Sequence, residues 1–356
     1  MGLRRVNVII LVLLAVAFLI IVQRNLLNLS DFLHTEKPDE GVILPFESEL
    51  SPDLNSARTG EEIPVLITAA EDRLGAVVAA MNSVYRNSKA NVVFTIVTLN
   101  ETVAHLKAWL SNTRLNSVKY KIVIFKPELL NGKISKDPQT PEAAKPLTLA
   151  RFYLPAYIPE AEKAIYLDDD VIVQGDIQEL YETNLKPGHA AAFSDDCDSA
   201  SAKGIVRGAG NQKEAIKKLG MRATTCSFNP GVFIANLTEW KNQNITQQLE
   251  HWMELNTQED LYGKTLADSV TTPPLLIVFY KRHSSIDPMW HVRHLGVTGA
   301  GSRYSSQFVK AAKLLHWNGH YKPWGRGSSF TDVWDKWFIP DPTGKFHPVR
   351  RHTGDS

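Results

Sequence analysis

Cysteine is scarce in this sequence, since the 356 residues contain only Cys197 and Cys226. No Cys-x-x-Cys pair occurs, so metal sites built on thiolates are excluded. Two interpretations of the pair stay open: a disulfide formed in an oxidising compartment, and two buried free thiols. We predict the disulfide, which would tie together the ends of the segment that leads to Asn229.

The sequence also lacks the glycine-rich loops that hold phosphate groups. Neither Gly-x-Gly-x-x-Gly nor Gly-x-x-x-x-Gly-Lys-Ser/Thr follows the first predicted strand, and His-Glu-x-x-His is absent. These absences argue against a dinucleotide oxidoreductase and a P-loop nucleotidase. The formal net charge is only +1, and no cluster of Lys and Arg is interleaved with aromatic residues. We therefore expect no nucleic acid partner.

An apolar run stands at the N-terminus, with Arg4 and Arg5 before it and Arg24 after it. We interpret residues 6–23 as a transmembrane signal anchor, because the apolar run is about long enough to span a bilayer. The excess of arginine on its short N-terminal side predicts a cytoplasmic N-terminus. The alternative is a cleaved signal peptide, although no small-residue cleavage site follows the run. The chain is thus expected to be a single-pass type II protein of the Golgi or ER/Golgi membrane, with a luminal catalytic domain.

This interpretation divides the chain into five parts. They are a cytoplasmic tail at 1–5, the anchor at 6–23, a luminal stem at 24–62, a catalytic domain at 63–345 and a tail at 346–356. The stem is assigned because it contains scattered prolines and no sustained periodicity. A luminal body would be a glycoprotein, and Asn-x-Ser/Thr triplets occur at Asn28, Asn100, Asn236 and Asn244.

From Ile63 onwards, apolar runs alternate between strand-like and helix-like patterns. Predicted strands are Ile63–Ala69, Val92–Leu99 and Tyr120–Phe125, and predicted helices are Leu74–Tyr85, Val103–Leu110 and Leu147–Tyr157. Strands joined through helices pair in parallel, so we predict an α/β sheet with helices on its faces. In such sheets, ligands bind beyond the carboxyl ends of the strands.

Three consecutive carboxylates, Asp168, Asp169 and Asp170, interrupt the apolar run from Lys163 to Val173. Side chains alternate along an extended chain, so Asp168 and Asp170 should face the same way and offer oxygen ligands to Mn²⁺ or Mg²⁺. An acidic turn without a metal is the plain alternative. Phosphatases with an aspartate nucleophile carry such acids on their first core strand, whereas at least three predicted strands precede these.

Five motifs occur in an order and rough spacing that resembles family 8 glycosyltransferases, from about Ile63 to Trp324. They are Ala69-Ala70-Glu71-Asp72, Ala150-Arg151-Phe152, Tyr166-Leu-Asp168-Asp-Asp170, Phe228-Asn229-Pro-Gly231-Val and His316-Trp-Asn-Gly319-His-Tyr-Lys322-Pro-Trp. The resemblance implies a type A glycosyltransferase fold, a Rossmann-like sheet that binds a nucleotide sugar beside an Asp-x-Asp metal motif.

The resemblance also implies roles for individual residues. Asp168, Asp170 and His316 would bind Mn²⁺ or Mg²⁺, which in turn would hold the diphosphate of a UDP-sugar. The uridine would face Ala69, Ala70 and Glu71, the phosphates would face Gly319 and Lys322, and the donor sugar would face Arg151, Asp196 and Asn229. Plainer interpretations are a core histidine for His316, a solvated lysine for Lys322 and a salt bridge for Arg151.

By the same resemblance, the reaction is transfer of a hexose-type sugar from a UDP-sugar, with retention, to an unidentified glycan, protein or lipid acceptor. One region of the sequence departs from the pattern of the family. Many members of the family carry Asp-Gln-Asp in the region that here reads from Tyr262 to Pro274, where Asp268 is the only acid. The second hypothesis is therefore a catalytically silent member that binds a nucleotide sugar or a glycan as a partner or regulator.

Overall fold

Runs rich in Val, Ile and aromatic residues form the sheet at the centre of the fold. The computed structural model describes residues 48–50, 60–136, 145–201, 216–222, 224, 226–259, 261–262 and 270–349, which fall within one compact unit. Strands in this part are β1 (Ser48–Leu50), β2 (Glu62–Ala69), β3 (Asn91–Thr98), β4 (Lys119–Ile124), β5 (Lys163–Leu167), β6 (Val171–Val173), β7 (Ala191–Ser201), β8 (Cys226–Asn236), β9 (Ser284–Ser285) and β10 (Leu314–His316).

Among these residues, the main sheet has the strand order β1-β4-β3-β2-β5-β8-β7-β9. Strands β2 to β5 are parallel to their neighbours within that group, whereas β8 runs antiparallel to both β5 and β7. The predicted α/β sheet is confirmed, and its second half is mixed rather than parallel.

The helices alternate with the strands along the chain. α-Helices of the described residues are α1 (Leu74–Asn87), α2 (Val103–Ser111), α3 (Leu154–Tyr157), α4 (Ile177–Tyr181), α5 (Leu237–Asn242), α6 (Ile245–Glu259), α7 (Thr272–Phe279), α8 (Ala300–Arg303), α9 (Ser306–Ala311) and α10 (Thr331–Asp335). Short 3₁₀ turns include Glu71–Arg73, Pro146–Tyr153 and Pro288–Trp290.

The helix predicted at Leu147–Tyr157 is not one continuous α-helix. A 3₁₀ helix spans Pro146–Tyr153, and the short helix α3 follows. Pro155 has no backbone N–H to donate to the preceding turn, and a proline inside a helix breaks its hydrogen-bond ladder. The chain therefore changes its helical form just before this residue.

The two faces of the sheet bury different side chains of the same strand, as period-two alternation requires. In β2, Leu66 packs in the apolar cluster on one face, whereas Val65 and Ile67 pack on the other. Helix α1 is buried along most of its length, from Leu74 to Val84. A third cluster surrounds β10 and includes Trp317.

The acidic run does not continue as one strand. Strand β5 ends at Leu167 in the main sheet, residues 168–170 form a turn, and β6 pairs antiparallel with β10 in a separate sheet of two strands. The register places Val171 opposite His316. This pairing carries His316 to the acidic turn from far along the chain.

No helix in the described ranges is long and apolar enough to cross a bilayer. A spanning helix needs about 20 apolar residues, and α6 has 15 residues with an apolar stripe only, at Ile245, Leu249 and Met253. The expectation of a single-pass type II protein of the Golgi membrane is therefore corrected and is not carried further. The predicted anchor at residues 6–23 lies outside the described residues.

Candidate active site

The acidic turn is held by backbone hydrogen bonds from both sides. The Asp168 amide donates to the carbonyl of Gly231 at 2.7 Å, and the Trp317 amide donates to the carbonyl of Asp170 at 3.0 Å. Strand alternation was therefore the wrong basis for placing Asp168 and Asp170 on one side. Their side chains come together because the chain turns here between two sheets.

Asp168, Asp170 and His316 each bring one ligand atom into a group whose members lie within 4.8 Å of one another. His316 Nε2 is 2.9 Å from Asp170 Oδ1 and 3.8 Å from Asp168 Oδ2. Asp170 and His316 are buried, while 23% of the Asp168 side chain is exposed. The cluster is therefore accessible from the Asp168 side.

These residues fit a divalent cation by two observations. Asp170 Oδ1 is a buried carboxylate oxygen without a hydrogen-bond partner in the described residues, although His316 Nε2 is close to it. Two ligand atoms of one ion lie about this far apart. Two carboxylates and one imidazole are also a donor set that suits Mn²⁺, and Mg²⁺ less well.

Lys322 and Arg151 hold the two outer acids. Lys322 Nζ donates to Asp170 Oδ2 at 2.5 Å and to the Trp317 carbonyl at 3.0 Å. Arg151 Nη2 donates to Asp168 Oδ1 at 2.8 Å, and its Nη1 donates to the Pro230 carbonyl at 2.9 Å. Both cations predicted for the site thus lie directly beside the acidic turn.

Burial by itself would raise the pKa of Asp170, but nearby positive charge overrides that effect. The charges of Lys322 and Arg73, together with contact with the His316 ring, hold the pKa of Asp170 well below its usual range. The carboxyl group is therefore ionised near neutral pH, as a metal ligand must be.

Gly231 and Asn229 line the space between the ligands. A Cβ atom on Gly231 would lie 2.3 Å from His316 Cε1 and 2.5 Å from Asp168 Oδ2, so only glycine fits. The Asn229 side chain accepts a hydrogen bond from the Gly231 amide at 2.8 Å. Asn229 is thus fixed at the edge of the cluster.

Gly319 lies on the loop between His316 and Lys322. Its φ is +112°, and a Cβ there would lie 2.6 Å from the Gly296 carbonyl oxygen, so the loop passes another backbone too closely for any side chain. This close passage lets Lys322 turn back to Asp170.

The segment predicted to face uridine begins at the last residue of β2. Ala69 is buried and Ala70 is half-buried. Glu71 is exposed, and its Oε1 accepts a hydrogen bond from His105 Nδ1 at 2.7 Å. His105 Nε2 in turn lies 2.9 Å from Asp341 Oδ2, so the C-terminal segment supports this end of the site.

Asp196 is placed differently from the other predicted residues. Its Oδ2 lies 3.2 Å from Arg293 Nε and 3.4 Å from His294 Nε2. Asp196 therefore contacts Arg293 and His294 rather than the residues of the acidic turn. It is also near enough to His291 to affect the pKa of that residue.

The predicted disulfide between Cys197 and Cys226 is confirmed. It links β7 to β8 next to the register pair of Asp196 and Ser227. The bond therefore holds the strands that carry Asp196 and Asn229. Asp268 lies outside the described residues.

Sequence reasoning missed Arg73, His291 and Arg293. Arg73 donates to Asp169 through Nε at 2.5 Å and also through Nη2, and His291 Nε2 lies 2.9 Å from His316 Nδ1. The position of Arg73 directly after the Ala-Ala-Glu-Asp motif was the available signal. No local pattern marks His291, because its contact depends on the pairing of β10 with its neighbours.

Comparisons with a protein family and with individual proteins point to the same family. Residues 64–327 match the description of Glycosyl transferase family 8. Glycosyltransferase 8 domain-containing protein 1 of Danio rerio is 71% identical and covers 99% of this chain and 99% of its own length. The human protein of that name is 62% identical, over 99% of this chain and 98% of its own.

Among solved structures, the galactosyltransferase LgtC with donor and acceptor sugar analogues superposes with a TM-score of 0.58. The two chains are 18% identical, and the match covers 78% of this chain and 98% of LgtC. At this identity the likeness concerns the fold alone, which is the Rossmann-like sheet of type A glycosyltransferases.

Proposed function

Because this chain belongs to glycosyl transferase family 8, we propose that it transfers a hexose-type sugar from a UDP-sugar to an acceptor, with retention and with a divalent metal. The acceptor is a hydroxyl group of a glycan, protein or lipid. The observation that carries the proposal is the convergence of Asp168, Asp170 and His316 on one point, from segments almost 150 residues apart.

Asp168, Asp170 and His316 would hold the ion, with Mn²⁺ favoured over Mg²⁺ because an imidazole is among the ligands. When bound, it supplies positive charge that stabilises the diphosphate leaving group. The low pKa of Asp170 supports this role, since the ligand needs no deprotonation before it binds.

Lys322 and Arg151 are proposed to stabilise the departing UDP. Each presents N–H donors beside the acidic turn, and each is held in place by a backbone carbonyl as well as by a carboxylate. Donors that are fixed before the reaction stabilise developing negative charge more strongly than mobile ones. A diphosphate that arrives at the turn would meet both side chains.

The charges at the turn support binding of metal and nucleotide together. Asp168, Asp169 and Asp170 are matched by Arg151, Arg73 and Lys322, each in contact with a carboxylate. A divalent ion alone would leave excess positive charge, which a diphosphate would balance. We therefore expect metal affinity to rise when UDP is present.

Retention by double displacement needs a carboxylate nucleophile beside the anomeric carbon. Asp196 lies against Arg293 and His294, which suits a residue that accepts hydrogen bonds from sugar hydroxyls better than a nucleophile. We propose that Asp196 and Asn229 hold the donor sugar and that the acceptor enters on the side of the leaving group. The departing phosphate oxygen then takes the acceptor's proton.

Ala69, Ala70 and Glu71 are proposed to face the uridine, and Gly319 the phosphates. The support is the location of Ala69, Ala70 and Glu71 at and just after the carboxyl end of β2, and of Gly319 on the loop that leads to Lys322. Small residues at Ala69 and Ala70 leave room for a flat base, while Glu71 is braced by His105.

The test is release of UDP from UDP-glucose, UDP-galactose, UDP-xylose and UDP-N-acetylglucosamine in the presence of Mn²⁺. We expect slow hydrolysis of one donor by the unmodified chain and its loss in Asp168→Asn and Lys322→Ala. Asp332→Asn, an exposed carboxylate on α10, is the matched control and should keep the rate. The absence of hydrolysis with every donor would contradict the proposal.

The departure from Asp-Gln-Asp between Tyr262 and Pro274 favours a second candidate. A catalytically silent member would bind the nucleotide sugar as a partner or regulator. It would bind UDP with Mn²⁺ but release no sugar over hours, so binding and hydrolysis measured on one preparation separate the two functions.

A further inference from the structure

His291 lies behind His316, on the side away from the two acids. It follows the 3₁₀ turn Pro288–Trp290, whose first turn is capped by the side chain of Asp287. The next residue, Val292, accepts a hydrogen bond from the His316 amide at 2.8 Å. These hydrogen bonds therefore hold the backbone on both sides of His291.

The two imidazoles are both buried and nearly parallel. Their planes differ by 16°, and 2.9 Å separates His291 Nε2 from His316 Nδ1. A separation of this length between two ring nitrogens requires one proton between them.

Two arrangements of that proton are available to a neutral pair. If His316 Nδ1 carries it and donates to His291 Nε2, then His316 Nε2 keeps its lone pair and faces Asp168 and Asp170. If His291 Nε2 carries it, then neutral His316 has its own proton on Nε2 and cannot bind a metal there.

A divalent cation at the acidic turn selects the first arrangement. A proton on His316 Nε2 would point at Asp170 Oδ1, which is 2.9 Å away, and would occupy the place of the metal. When the metal binds, the proton must therefore lie on Nδ1, and His291 Nε2 is 2.9 Å from that atom and can accept it.

We propose that His291 is a positioning residue that holds His316 in the tautomer able to bind a metal through Nε2. The inference rests on the proposed metal-dependent function and adds to it a residue outside the ligand set. In many metal sites a carboxylate or a carbonyl accepts from the ligating histidine, and loss of that acceptor weakens metal binding by about 10- to 100-fold. Here the acceptor would be a second imidazole, that of His291.

The test compares two substitutions that differ in one property. His291→Leu has a similar volume and no acceptor, while His291→Gln places an amide oxygen near the position of Nε2. Mn²⁺ affinity at saturating UDP is measured from the electron paramagnetic resonance signal of free Mn²⁺. The exposed His251→Leu is the matched control and should bind Mn²⁺ as the unmodified chain does.

We expect His291→Leu to bind Mn²⁺ about 10-fold more weakly or worse, and His291→Gln to recover most of that loss. Equal affinity in His291→Leu and the unmodified chain would overturn the inference. So would a His291→Gln variant as weak as His291→Leu, since that result assigns the effect to packing. If the unmodified chain binds no Mn²⁺ with UDP, the metal site itself fails and the inference with it.

A second measurement does not depend on how the variants fold. The ¹⁵N chemical shifts of the His316 ring, assigned by comparison with His316→Gln, report which nitrogen carries the proton. We expect the proton on Nδ1 in the unmodified chain once Mg²⁺ and UDP are added. A proton that stays on Nε2 after the addition would overturn the inference.

Discussion

Arg73 makes two hydrogen bonds to the Asp169 carboxylate. Its Nε donates to Oδ2 at 2.5 Å, and its Nη2 donates to Oδ1. Nη2 also lies 3.5 Å from Asp170 Oδ2, and the guanidinium stands over the Trp324 ring at 5.1 Å. Asp169 is therefore bound to Arg73 and is not one of the three residues whose ligand atoms converge.

Removal of Asp169 should destabilise the fold. Asp169→Ala leaves the partly buried cation of Arg73 without its partner, and such a loss costs about 3 kcal/mol. A double-mutant cycle with Arg73→Ala, measured by urea unfolding, should give a coupling energy above about 1 kcal/mol. Asp332→Ala is the control on an exposed acid, and a coupling near zero would contradict this account of the pair.

Gly231→Ala should disable the site through volume alone. The added Cβ would enter the space between His316 Cε1 and Asp168 Oδ2, and the ligands would have to move apart. We expect metal-dependent UDP binding to weaken by about 10-fold or more, as measured by calorimetry. In the control Gly301→Ala, the new Cβ would lie 3.2 Å from a movable Ser329 Oγ, so binding should persist. Wild-type binding in Gly231→Ala would contradict the geometry.

The bond between Cys197 and Cys226 closes a loop with a sequence separation of 29 residues. Loss of this constraint in Cys197→Ser/Cys226→Ser should lower the free energy of unfolding by about 3 to 4 kcal/mol, by the loop-closure estimate. Urea unfolding of the oxidised protein and the double variant measures it. Alkylation without reductant should label neither cysteine of the unmodified chain, and two labelled cysteines would refute the pairing.

The Asp341 carboxylate should make the free energy of unfolding depend on pH in acidic solution. Burial alone would raise its pKa, but the backbone amides of Thr343 and Phe346 and the His105 ring lower the pKa of Asp341 from 3.8 to about 2. A lowered folded pKa adds stability above the unfolded pKa, and this stability is lost as pH falls from about 4 to about 2. Screening by nearby water limits the contribution to about 1 kcal/mol.

The comparison with Asp341→Asn isolates this contribution from other carboxylates. The difference in unfolding free energy between the two proteins should be largest at pH 5 and should shrink as the pH approaches 2. A difference that stays constant across this range would show that the Asp341 charge does not stabilise the fold.

The sequence predicted the first strands well, and the reason is local. Strands β2, β3 and β4 begin and end within one residue of their predicted bounds, because runs of β-branched residues form buried strands and polar residues end them. The helix at Leu147 was predicted in the right place but in the wrong form, because Pro155 cannot donate the backbone hydrogen bond that a continuous α-helix needs.

The site could be predicted only in part. The residue types of Asp168, Asp170 and His316 indicated a metal, and their convergence agrees with that, while their role as ligands stays a prediction. The actual cause of the convergence is the pairing of β6 with β10, which is a long-range contact without a local signal. For the same reason, His291 and Arg293 could not be found from the sequence.

The central claim is that UDP and a divalent metal bind together at Asp168, Asp170 and His316. The most direct measurement is a calorimetric titration of UDP into the chain, with and without Mn²⁺. We predict that tight binding of UDP requires Mn²⁺, that Asp170→Asn and His316→Ala lose this metal-dependent part, and that Asp332→Asn keeps it. UDP binding that is the same without Mn²⁺, or that is unchanged in Asp170→Asn, would contradict the account.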